Sequence, residues 1–124
     1  MRLSVKLAAS GDHFVLTLLP AQRVAVGYAT EVVESLQVPD PVVEVMFAAP
    51  RRTLVETGRR FDSEETTATL AEIRVLYQML KTVPECFGSE EAFHTRTGYY
   101  RENFTDLAKG LLSAVGKISQ PAEG

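Results

Sequence analysis

Apolar and polar residues alternate at the start of this chain: Leu3, Val5 and Leu7 interleave with Arg2, Ser4 and Lys6. That period of two gives a strand one buried and one wet face. Ser10-Gly11-Asp12 supplies turn chemistry, and Phe14-Val15-Leu16-Thr17-Leu18-Leu19 is rich in strand formers. The short connection predicts an antiparallel hairpin. Residues 20–36 fit two periods. Val24, Val26, Tyr28 and Val32 suit a strand, whereas Pro20 in a first turn followed by Val24, Tyr28, Val32 and Leu36 suits a helix. The length of the stretch favours the helix, although Gly27 costs it about 1 kcal/mol relative to Ala.

Val38-Pro39-Asp40-Pro41 reads as a stop and turn, since proline lacks an amide hydrogen and restricts the residue before it. Residues 42–47 carry β-branched side chains and read as a third strand closed by Pro50, with Asp40 before Pro41 leaving a helix start as the other choice. Arg51–Arg60 reads as a partner strand centred on Leu54 and Val55 and ended or bulged by Gly58.

Near Phe61 the period changes. Asp62 and Glu65 stand at capping-box spacing before an apolar stripe of Leu70, Ile73, Tyr77 and Leu80. Pro84 and Gly88 end that helix, and Ser89-Glu90-Glu91 opens another, along which Phe93, Tyr100, Phe104, Leu107 and Leu111 recur at helical spacing. The expectation is an α+β domain over 1–118. A small antiparallel sheet of about four strands is covered by a C-terminal antiparallel helix hairpin in two layers, and 119–124 form a flexible tail. No internal repeat is legible. A hairpin longer than the sheet would leave apolar surface for a second chain.

Composition narrows the class without naming a function. The 124 residues are 45% hydrophobic and 23% charged, ordinary for one self-sufficient domain. Cys86 is the only cysteine, so no internal disulfide forms and a reducing, cytoplasmic setting is expected. No apolar run approaches a membrane span and no signal-peptide core is visible. The net charge is −3, with the acidic excess in residues 63–124. This is not the basic balance of a general nucleic-acid binder.

Four side-chain groups carry candidate chemistry. Arg51, Arg52, Arg59 and Arg60 form the one locally basic segment, suited to phosphate or an acidic partner, or to protecting an edge strand by charge. His94, Arg96, Tyr99, Arg101 and Asn103 mix aromatic, basic and amide groups suited to a ligand or a helix interface. Cys86 and His94 are the nearest approach to a nucleophile and base, but no family motif surrounds them. His13 and His94 stand too far apart in sequence to form a local metal-ligand pair, so no metal, cofactor or catalytic residue is expected.

The reading that follows is a small interaction module of adaptor, regulator or inhibitor type, self-associating as a dimer through its C-terminal helices. A small ligand-binding protein or enzyme, with a pocket between sheet and helices, is the rival from another class. A third reading has Arg51–Arg60 binding nucleic acid or an acidic partner.

Overall fold

Strands β1 (Lys6–Ser10) and β2 (His13–Thr17) form the expected antiparallel hairpin, in register from Lys6↔Thr17 to Ser10↔His13. This is a computed structural model describing residues 5–119. Arg2, Leu3 and Ser4 of the first predicted strand, and residues 120–124 of the predicted tail, lie outside the described residues. Gly11 alone in the turn takes positive φ, at 66°, as a two-residue hairpin connection with glycine first requires. Helix α1 (Pro20–Ser35) follows, with Pro20 in the first turn.

The next two elements correct the expectation. Residues 42–47 and 51–60 are not strands: Asp40–Phe47 is helix α2 and Arg51–Arg60 is helix α3. Val43 and Phe47 are buried while Val45 midway between them is exposed, as are Val42 and Met46, whereas a strand would put 43, 45 and 47 on one face. In α3, Leu54, Val55, Thr57 and Gly58 are buried, followed by Phe61. Pro39 and Pro50 stand just before the two helices, where a missing amide hydrogen costs nothing. β-Branched content was the misleading signal, because burial on one helical face outweighs it.

Strand β3 (Glu65–Ala68) lies where a helix start was expected. The reciprocal capping box sits further on. Thr69 Oγ1 accepts from the Glu72 amide at 3.1 Å, and Glu72 Oε1 accepts from the Thr69 amide at 3.0 Å, opening helix α4 (Leu70–Thr82). The sheet therefore has three strands among the described residues, in the order β1-β2-β3 and all antiparallel, rather than four. A 3-10 turn (Val83–Cys86) leads to α5 (Glu90–Thr97) and α6 (Arg101–Ser119). Gly98, at φ 77°, breaks the predicted second long helix into these two. So α4 does pack on α6, but as members of a four-part unit rather than as a plain hairpin.

That unit occurs twice. A shift of fifty positions carries β2 onto β3, α1 onto α4, α2 onto α5 and α3 onto α6. Buried positions coincide: Val43 with Phe93, Phe47 with Thr97, Leu54 with Phe104, Phe61 with Leu111. Ala48 and Gly98, ending α2 and α5, are the equivalent left-handed residues at φ 61° and 77°. Gln22 and Glu72 each accept from the amide three residues earlier, at 2.8 and 3.0 Å.

Strand pairing obeys the same shift. Leu16 pairs with Thr66, its own counterpart, while the Val15–Thr67 and Thr17–Glu65 pairs exchange under it. A local two-fold axis therefore passes between Leu16 and Thr66 and relates β2 to β3. Over 16–61 against 66–111 only Thr17, Ala21, Val33 and Arg51 recur as the same residue, so the expectation of no repeat fails in three dimensions while holding for sequence identity. The core is shared, with Phe47, Phe61, Phe93 and Phe104 fully buried.

Candidate functional site

The arginine segment does not form one basic face. Arg51 is a strap: its Nη1 donates to the carbonyls of Val33 at 2.6 Å and Leu36 at 3.1 Å, its Nη2 to Val38 at 2.6 Å, and its Nε to Asp40 at 2.8 Å. It satisfies the orphan carbonyls where α1 ends. Arg101 repeats the strap in the second half, with Nη2 donating to the Phe87 carbonyl at 2.6 Å and Nε 3.6 Å from Glu90. Arg60 pairs with Glu72 and donates to the Thr67 carbonyl at 2.8 Å, closing the outer edge of β3. Arg59 pairs with Glu34 on α1, and Arg52 with Glu56 on its own helix.

The second cluster scatters in the same way. His94 stacks on Tyr100 with ring centroids 4.4 Å apart and places Nδ1 3.3 Å from the Tyr99 carbonyl. Tyr99 donates its hydroxyl to the Ala21 carbonyl at 2.9 Å, and burial, then Tyr28, raises its pKa above the usual phenol range. Arg96 reaches across to Ser35 at 3.3 Å and Glu31 at 3.9 Å, tying α5 to α1. Asn103 accepts from the Tyr100 amide at 2.9 Å and opens α6. Cys86 donates weakly to the Thr82 carbonyl at 3.7 Å, and burial, then Glu85, pushes its thiol above the usual range. A thiol so placed, with His94 engaged elsewhere, is not an activated nucleophile.

Sequence reasoning missed a pair of equivalent depressions. In the first half, a cleft of about 510 Å3 lies between α1 and the end of α3, lined by Arg23, Gly27, Glu31, Glu34, Arg59 and Asp62. In the second half, a furrow of about 260 Å3 lies between α4 and α6, lined by Leu70, Ile73, Arg74, Tyr77, Leu112 and Val115, and it presents only apolar surface. Six lining positions correspond directly: Pro20 with Leu70, Arg23 with Ile73, Val24 with Arg74, Gly27 with Tyr77, Phe61 with Leu111, and Asp62 with Leu112. Gly27 was the available signal, since a glycine inside a helix costs about 1 kcal/mol and calls for a reason.

The expected C-terminal contact stripe is covered within the chain. Phe93, Phe104, Leu107 and Leu111 are buried, and of that stripe only Tyr100 stays exposed. Exposed large apolar side chains lie on α2, at Val42, Val45 and Met46, on α1 at Val24, and at Leu70 and Leu112, 55% and 59% exposed on the lips of the furrow. Among the described residues no group of three or more His, Cys, Asp or Glu is placed to hold a metal, and no helix is long and apolar enough to cross a membrane. No protein-family model, curated protein or solved structure matches the chain.

Proposed function

We propose that this protein is a small interaction module that self-associates through the outer edges of α4 and α6. The observation carrying this reading is the apolar furrow whose lips, Leu70 and Leu112, stand more than half exposed on one domain face. Each copy offers both parts of a contact, raised leucines and an apolar floor of Ile73 and Leu111, as a two-fold interface requires. Burying a fully exposed leucine is worth about 1.5–3 kcal/mol, and only a little more than half of Leu70 and of Leu112 is left to bury, against about 4–15 kcal/mol for lost rotation and translation. Four leucines across a two-fold therefore support a reversible dimer rather than a permanent one.

The test is sedimentation velocity over a concentration series, on wild type and on Leu112→Asp. The counterpart of Leu112 is Asp62, so the fold already accommodates an acid at this position. The expected result is a wild-type dimer forming at tens of micromolar and a monomeric variant with unchanged far-UV circular dichroism. A wild type that stays monomeric, or a variant that dimerises equally well, removes the proposal.

A further inference from the structure

We infer that the cleft between α1 and the end of α3 binds a small zwitterion, a molecule of free amino acid or dipeptide size carrying one carboxylate and one ammonium group. This inference is independent of self-association, which uses the other half of the molecule.

Space is the first observation. The cleft of about 510 Å3 continues along α1 toward Pro20 as a second depression of about 430 Å3, and the two share Arg23, Gly27, Glu31 and Asp62. Such volumes are those of small-molecule sites. Gly27 opens the floor: a Cβ built there meets nothing within 4 Å. At the equivalent position the second half carries Tyr77, which lines the apolar furrow. The room in the first half is thus a consequence of residue choice on a common scaffold.

Charge is the second observation. Arg59 is taken by Glu34, and Glu31 is approached by Arg96 at 3.9 Å. Arg23 and Asp62 remain, and neither side chain has an ion pair or hydrogen bond among the described residues, although both line the cleft. Arg23 Nε is buried without any acceptor. An unmet buried donor is costly, the more so on a charged group, so the site is short of one acceptor.

A lone anion would satisfy Arg23 but face Asp62 and Glu31 across the same cleft. A lone amine would satisfy Asp62 but face Arg23. A molecule bearing both charges answers both residues at once, with its carboxylate accepting from Arg23 and its ammonium donating to Asp62. Its remaining atoms would lie over Gly27, against Val24 and Tyr28.

The experiment titrates the 15N-labelled protein with L-leucine, L-lysine and L-glutamate separately, with acetate and methylammonium as half-ligand controls, and reads amide chemical shifts. The expected result is saturable movement, with at least one amino acid, of amides within residues 20–34 and 58–62, and binding at least about tenfold tighter than either half-ligand. Arg23→Gln should weaken binding by about tenfold or more. Gly27→Tyr, which copies the second half, should abolish it, while Leu112→Asp leaves it unchanged. No saturable shift with any of the three amino acids overturns the inference. So does acetate binding as tightly, undiminished binding to a folded Gly27→Tyr variant, or a shift pattern centred elsewhere.

Discussion

The two halves place the same pair of packed helices around two different surfaces. Between α1 and α3 the surface is a charged cleft floored by glycine, and between α4 and α6 it is an apolar furrow lipped by leucines. What is kept between them is the scaffold. Each half retains the left-handed corner after its short helix, the buried positions on the helices that follow, and an arginine returning to the segment that follows its first helix. Positions that carry the scaffold tolerate only substitutions that preserve volume or a hydrogen bond. Positions on the rim of a groove are free to change charge class altogether, as Asp62 against Leu112 shows.

The straps should differ most. Arg51 holds several carbonyls at the end of α1 and is half-buried, whereas Arg101 holds one carbonyl and a longer contact to Glu90. Urea denaturation should show Arg51→Ala losing about 3 kcal/mol and Arg101→Ala about 1–2 kcal/mol. Equal losses would mean that the two straps bear equal weight despite their geometry. Next comes the helix crossing. A Cβ on Gly58 would run into Thr30 Oγ1 and press on Met79, while the equivalent position carries the buried Ala108, with Leu80 as the counterpart of Thr30. Gly58→Ala should cost about 1–3 kcal/mol in spite of its better helix propensity, and Thr30→Ala in the same chain should recover part of that loss.

The corners give an effect of opposite sign in the two halves. Left-handed backbone costs a residue with a Cβ about 1–2 kcal/mol relative to glycine. Ala48→Gly should therefore raise stability by up to about 1 kcal/mol and Gly98→Ala lower it by about the same, both read from thermal midpoints. The smallest effect is the pH dependence from Cys86. Its folded-state pKa is raised, so its contribution is fully present below the ordinary thiol pKa of about 8.5 and is lost as pH rises through the folded value. Cys86→Ser should flatten that alkaline decline, and an unaltered decline would assign it to other groups.

The hairpin was legible because it carries a clear period of two, and α1 because the length of residues 20–36 favoured a helix over the strand period that fits the same positions. Helices α2 and α3 were not, since Val42, Val43 and Val45 advertise a strand while burial selects only Val43 and Phe47. β3 was hidden by Asp62-Ser63-Glu64-Glu65, whose spacing imitates the capping box that Thr69 and Glu72 make. The repeat was hidden because equivalent positions keep burial without keeping identity. Val43 and Phe47 exchange bulk with Phe93 and Thr97, small for large and large for small. The chemical density around the candidate site residues is structural: Arg51 and Arg101 fasten helices, and Arg96 and Tyr99 tie α5 and its corner to α1. Arg23 and Asp62 are far apart in sequence and come to line one cleft only through the fold.

The part of the duplication most open to direct test is the register that pairs β2 with its counterpart β3, which can be read in a nuclear Overhauser spectrum. Residues facing each other in the non-hydrogen-bonded pairs of an antiparallel ladder bring their Cα atoms to about 4.5 Å, close enough for strong Hα–Hα cross-peaks. Leu18 donates to the Glu64 carbonyl at 2.9 Å, which makes Val15–Thr67 and Thr17–Glu65 the non-hydrogen-bonded pairs. Strong cross-peaks for both of these pairs are the predicted result. Peaks displaced by a residue, such as Val15 with Thr66, would move the axis off Leu16 and its counterpart and contradict the duplication.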